Sequence, residues 1–103
     1  MSQPKQPAEP QTVTVTKAGD YRNSYANSVQ VRMSVWDFYL VFGTMRRDTP
    51  DEVQIENFQG IYLSPQQAKA LRNLLAHNLA QYEQTFGELA LEPQFVPPNG
   101  PVH

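Results

Sequence analysis

The segment from Ser64 to Gly87 carries the signals of one long helix, and it constrains the fold more than any other part of the chain. Proline stands at the first helical position after Ser64, and Gln67 stands at the capping-box position. At about 100° per residue, one arc of the segment collects apolar side chains while polar residues lie opposite. These apolar residues are Ala68, Leu71, Leu74, Leu75, Leu79, Tyr82 and Phe86. Because Gly87 suits a left-handed helix terminus, we expect an amphipathic helix that ends there and buries one face.

The chain before this helix has the patterns of β-strands. Apolar and polar residues alternate over 28–35, which predicts a half-buried strand, and the apolar run 38–42 predicts a central strand covered on both faces. A third strand is expected over 53–63, where Gly60 indicates a bulge or a close approach. The charged segment 45–51 contains Thr-Pro-Asp turn residues and predicts a surface loop between the second and third strands.

These elements predict an α+β fold. We expect a three- to four-stranded antiparallel β-meander followed by one long amphipathic C-terminal helix packed on the sheet. The short alternation Thr12–Thr16 leaves the fourth strand, at an edge, as an open alternative. The residues expected to build the core are Val29, Val31, Leu71, Leu75 and Leu79.

Proline-rich ends flank this predicted domain. Residues 1–20 are expected to form a disordered tail apart from the open edge strand, and residues 92–103 a second disordered tail. The α+β domain is then 21–91, which at about 70 residues is close to the lower size for a self-sufficient core.

Composition excludes several kinds of site. The chain has no cysteine and only two histidines, so it lacks a thiolate nucleophile, a disulfide and a cysteine-based zinc site. We find no nucleophile with its base, no paired carboxylates and no phosphate-binding glycine loop, and therefore expect no catalytic residue, no cofactor and no metal ligand. His77 lies opposite the apolar arc and is interpreted as a solvated side chain.

Charge and hydropathy indicate which partners and which cellular location to expect. A net charge of −2 argues against general nucleic-acid binding, and the Arg46-Arg47 pair is followed at once by acidic residues. No apolar run is long enough for a membrane span, and the first residues do not resemble a signal peptide, so we expect no membrane partner and a cytoplasmic location.

The surplus of apolar residues predicts a partner protein. One helix covers only one face of a sheet, which leaves Tyr39, Val41, Phe58 and Tyr62 on the other. A second copy of the chain is the expected cover, giving a homodimer or a higher oligomer; another protein, or a fold-back of 12–16 or 89–91, are the alternatives.

Asn78 lies inside the apolar arc of the predicted helix. It is interpreted either as a hydrogen-bonded core amide that ties the helix to a strand or loop, or as a residue that sets the register of self-association.

The chain resembles a family catalogued as a domain of unknown function, number 3467. The resemblance rests on Tyr25-Ala26-Asn27-Ser28-Val29-Gln30-Val31, on Trp36-Asp37-Phe38 with Leu40-Val41-Phe42-Gly43, and on Ser64-Pro65-Gln66-Gln67-Ala68-Lys69-Ala70-Leu71 through Asn78-Leu79, Tyr82-Glu83 and Phe86-Gly87. It implies a small stand-alone prokaryotic protein and assigns no activity or site. More remotely, a sheet followed by a long helix is similar to the SecB chaperones, which hold unfolded chains in apolar grooves.

We therefore expect a non-catalytic protein-interaction or assembly module, acting as a homodimer. The alternatives are a SecB-like holdase, a nucleic-acid-binding protein, and an enzyme assembled across subunits. The residues available to such an enzyme are Asp37, Arg46, Arg47 and Glu56.

Overall fold

The computed structural model describes residues 10–91, which form a three-stranded antiparallel sheet followed by one helix. The strand order is β1-β2-β3, so each strand pairs with its neighbour in sequence. The elements are β1 Ser28–Met33, β2 Phe38–Thr49, β3 Glu52–Leu63 and α1 Pro65–Phe86. This confirms the α+β meander with a C-terminal helix. The predicted tail at 92–103 and the first nine residues of the N-terminal tail lie outside the described residues.

The connection between β1 and β2 is a turn organised by Ser34. Its backbone N–H donates to the carbonyl of Asp37 at 2.8 Å, and its hydroxyl oxygen accepts from the N–H groups of Trp36 and Asp37 at 3.1 and 3.2 Å. The turn leaves Trp36 in solvent, with 81% of its surface exposed.

The hairpin between β2 and β3 is longer than the sequence indicates. The predicted loop 45–51 is wrong, because β2 continues to Thr49 and only Pro50 and Asp51 form the turn. Strand pairing needs backbone partners rather than apolar side chains, and the polar residues here pair across the hairpin. Arg46 lies opposite Gln54 and donates from Nη2 to its Oε1 at 3.0 Å.

The open alternative of a fourth strand is settled by the structure. Within residues 10–91 the sheet has three strands, and Thr12–Thr16 is not one of them. Val15 remains 86% exposed. Two valines on one side of a short segment bury too little apolar area to offset the entropy of ordering it.

The helix begins and ends where the sequence predicts. The hydroxyl oxygen of Ser64 accepts from the N–H of Gln67 at 3.1 Å, and proline occupies the first turn. Gly87 has a φ of 109°, and its N–H donates to the carbonyl of Glu83 at 2.9 Å. The carboxylate of Glu83 also accepts from the N–H of Leu89 at 2.9 Å, which holds the chain just after the helix.

The helix does not lie over its own sheet. It contacts the sheet sparsely, chiefly at β3, and none of its residues is buried. A single extended residue, Ser64, separates β3 from α1, whereas strand-to-helix connections usually have about 2–6 residues. The helix therefore leaves the end of β3 instead of turning back across the sheet.

As a result, one chain lacks the expected core. No hydrophobic residue among 10–91 is buried, and the predicted core residues Val29 and Leu75 are 58% and 52% exposed. The Cα radius of gyration is 18.6 Å, against about 13 Å for a compact domain of 100 residues. The expectation that the helix packs on the sheet around a shared core is thus not met within one chain.

Candidate interaction surface

One side of the sheet is almost entirely apolar where all three strands pair. Val31 lies opposite Leu40, and Leu40 lies opposite Ile61, so these side chains share a face. The apolar residues on this face, here called the broad apolar face, are Val29, Val31, Met33, Phe38, Leu40, Phe42, Ile61 and Leu63. Its one polar residue is Gln59, which lies opposite Phe42. Several of its members are exposed, since nothing in residues 10–91 covers them.

The opposite side of the same region is the tyrosine face, formed by Tyr39, Val41 and Tyr62. Tyr39 and Tyr62 are cross-strand partners whose rings stack with centroids 4.3 Å apart and planes at 21°. Arg32 lies opposite Tyr39 on β1, so a cationic side chain and two aromatic rings form one row across the sheet. The structure thus brings together three of the residues expected to form an interface.

Gly60 is the close approach that its position in β3 suggests. A Cβ on Gly60 would come within 2.7 Å of Cε1 and 2.8 Å of Cζ of Tyr39. Glycine therefore leaves the space that the Tyr39 ring occupies beside its partner Tyr62.

Phe58 lies apart from the tyrosines. The register shifts by one residue where Phe42 pairs with Gln59 and Gly43 with Asn57, so Phe58 is the extra residue of a β-bulge. Its side chain lines an open concavity together with Thr44, Glu56 and parts of the segment 18–25. The residues expected to share one surface are therefore separated by the bulge.

Beyond this bulge the apolar side of the hairpin changes. The cross-strand pair Met45 and Ile55 follows the tyrosine face, whereas the pair Thr44 and Glu56 lies on the side of the broad apolar face. The broad apolar face therefore ends at the bulge. It occupies the half of the sheet next to the β1–β2 turn and the start of the helix.

The proposed fold-back segments leave the tyrosine face open. Thr12–Thr16 is exposed throughout, and Leu91 is exposed after the helix. Tyr62 keeps 66% of its surface in solvent.

The helix presents a second uncovered apolar surface, here called the helix arc. Tyr82 and Phe86 lie one turn apart with ring centroids separated by 4.9 Å. The large exposed residues of the arc are Leu74, Leu75, Leu79, Tyr82 and Phe86. An isolated amphipathic helix gains little from its apolar side until another surface covers it.

Asn78 lies within the helix arc and is exposed. Its Nδ2 donates to the carbonyl oxygen of Leu74 at 2.8 Å, one turn earlier on the same helix. The interpretation as a core amide that ties the helix to a strand or loop is therefore wrong for the described chain. The alternative, a role in the register of self-association, stays a prediction.

Asn27 is a structural residue that the sequence patterns did not single out. Its Oδ1 accepts from the N–H of Met45 at 2.6 Å, and its Nδ2 donates to the carbonyl of Met45 at 3.0 Å. The side-chain amide thus forms the two hydrogen bonds that a neighbouring strand residue would form, and it pairs the edge of β2 just before β1 begins. An asparagine directly before a strand is the available signal, because its amide resembles a peptide group.

The polar groups elsewhere form local contacts. Arg46 pairs with Asp48 at 3.1 Å, and its side chain is largely exposed, as expected for solvated charge. Among residues 10–91 no group of three or more histidine, aspartate or glutamate side chains is placed to hold a metal ion. Within the same range, α1 is not apolar enough to cross a membrane.

Comparison with known proteins identifies a family. No curated protein and no solved structure matches the chain, and the likeness to SecB chaperones is therefore not confirmed. A family model matches residues 1–91, which include every strand and the helix described above. The chain belongs to this family, described as "Protein of unknown function (DUF3467)".

Proposed function

We propose that the chain is a non-catalytic interaction module that works as a homodimer in the cytoplasm. The observation that carries the proposal is the lack of any buried hydrophobic residue within 10–91. Stable domains bury apolar side chains at the density of a molecular crystal, so a sheet and a helix with exposed apolar sides need a further surface.

The exposed area is of the size that a dimer uses. A half-exposed large side chain presents on the order of 80 Å², and about nine such residues lie on the broad apolar face and the helix arc. Their total of roughly 700 Å² per chain approaches the about 800 Å² that each partner buries in a stable interface. Large exposed apolar surfaces of this kind usually mark sites where proteins associate.

The tyrosine face supports the interaction role. Tyrosine and arginine are enriched where proteins meet, and Arg32, Tyr39 and Tyr62 form one row on an open sheet surface. In a dimer closed through the broad apolar face, this row stays available to another protein. One side of the sheet would then serve assembly, and the other side would bind a partner.

The experiment is the solution mass by light scattering over a dilution series, read beside helicity from circular dichroism. We expect a dimer in wild type and in His77→Glu, which changes the polar side of the helix. Leu75→Glu, two residues away on the helix arc, should lose the dimer. A helical wild-type monomer at every concentration would contradict the proposal.

A holdase is the second candidate, and the uncovered broad apolar face is the observation that favours it. Such a surface can form apolar contacts with an unfolded chain whatever the sequence of that chain. A holdase suppresses aggregation of an unrelated client at near-stoichiometric amounts. If Val31→Glu and wild type both leave client aggregation unchanged, the protein is not a holdase.

A further inference from the structure

The helix arc and the broad apolar face are both apolar, and within the described chain the helix does not cover the sheet. An apolar sheet face and an apolar helix stripe form the usual two layers of an α+β domain. Here the only connecting residue is Ser64, which is extended and whose hydroxyl caps the helix through Gln67. With the ring of Pro65 fixing the next residue, no loop is left to reverse the helix over β3.

A second copy has no such restriction. Its helix is about 33 Å long, by the rise of 1.5 Å per residue. A six-residue strand such as β1 spans roughly 20 Å, so the helix is long enough to cover the broad apolar face. We propose that two chains exchange helices, so that α1 of each lies across the broad apolar face of the other. This inference rests on the homodimer proposed above and specifies how the dimer closes.

The charges of the two sheet faces favour this arrangement. The broad apolar face includes no charged residue, so covering it desolvates no ion. On the other side of the sheet, Arg32 lies beside the tyrosine face, and its burial would require a paired charge. The helix arc carries no charged residue, and one amide N–H of Asn78 is already bonded to the carbonyl of Leu74.

Helix exchange also brings together the residues that the sequence assigns to a core. Val29 and Val31 come from the sheet of one chain, and Leu71, Leu75 and Leu79 from the helix of the other. A two-fold axis repeats the contact, so each apolar surface is used once in each chain. The tyrosine faces remain on the outside.

Crosslinking between introduced cysteines tests this contact directly, because the natural chain contains none. Val31→Cys is prepared in one tagged chain, and Leu71→Cys, Leu75→Cys or Leu79→Cys in an untagged chain. The two are refolded together and treated with a short bis-maleimide. We expect a covalent pair of tagged and untagged chains with at least one of the three helix variants. His77→Cys, on the opposite side of the helix, should give none.

Two further samples separate the possible failures. Val31→Cys alone reports sheet-to-sheet contact, and the double variant Val31→Cys with Leu75→Cys reports contact within a chain. Crosslinking of Val31→Cys to itself in a dimer, without any helix-to-sheet product, would overturn helix exchange while leaving the homodimer intact. A crosslinked monomer of the double variant would also overturn it. A monomeric, helical wild type would instead remove the proposed function itself. Each cysteine variant is used only if its helicity and mass equal those of wild type.

Discussion

The ring of Tyr39 occupies the space beside Gly60, so that a Cβ on the glycine would lie 2.7 Å from Cε1 of the tyrosine. The Tyr39 ring cannot keep its position if residue 60 carries a Cβ. The ring also stacks on Tyr62. The stacked arrangement of Tyr39 and Tyr62 therefore requires glycine at position 60.

Gly60→Ala should destabilise the protein by about 1–3 kcal/mol, because the added methyl group displaces the Tyr39 ring from its stack. Thermal and urea unfolding measure the loss. Gly19→Ala is the matched control, since nothing lies within 4 Å of its Cβ position. In a Tyr39→Ala background the same change at Gly60 should cost less. An equal cost in both backgrounds would place the strain somewhere other than against Tyr39.

Asn27→Ala should cost about 1–2 kcal/mol, because it removes both side-chain hydrogen bonds to Met45. Asn27→Asp keeps an acceptor for the N–H of Met45 but turns a carboxylate oxygen towards its carbonyl, so it should not restore stability. Hydrogen exchange at the Met45 amide is the local measurement. Faster exchange in Asn27→Ala is expected, and unchanged protection there would show that the amide does not close this edge of β2.

Neighbouring residues on β1 distinguish the two sheet faces. Val29→Glu puts a charge on the broad apolar face and should shift the dimer towards monomer or unfolded chain. Gln30→Glu adds the same charge to the tyrosine side and should leave the mass unchanged. Light scattering measures the mass of both variants, and circular dichroism measures their helicity. If Gln30→Glu lowers the mass and Val29→Glu does not, the dimer contact lies on the tyrosine side instead.

Lengthening the connection at Ser64 should convert the dimer into a monomer. A Gly-Ser-Gly-Ser insertion between Leu63 and Ser64 lets the helix turn back onto its own sheet, as longer hinges do in exchanged dimers. We expect retained helicity at half the wild-type mass. The same insertion between Pro50 and Asp51 is the control and should leave the dimer. A dimer that survives lengthening at Ser64 would mean that this connection does not direct the exchange.

The boundaries of the helix were predictable because they depend on local chemistry. Ser64, Pro65 and Gly87 act on neighbouring backbone groups, and such contacts can be read from adjacent residues. The first strand was recognisable for the same reason, but it ends at Met33 and not at the predicted residue 35, because Ser34 organises the turn.

The remaining differences arise from relations between distant residues. β2 continues through Arg46 and Arg47 because β3 offers backbone partners there, which no pattern within β2 reveals. The bulge at Phe58 results from a register between two strands, and it separates that side chain from the tyrosines expected beside it. The direction of the helix depends on the length of its connection to β3, whereas periodicity reports only which side of it is apolar.

If two chains exchange helices as proposed, the one-residue connection at Ser64 also makes the amount of folded protein depend on the concentration of the chain. During synthesis the strands leave the ribosome before the helix, and under helix exchange their apolar side is closed only when another chain arrives. Completion of the fold then depends on concentration, as for any dimer without a stable folded monomer. A cell that makes few copies would hold open, protease-sensitive chains, so a modest change in expression would change the amount of working protein more than proportionally.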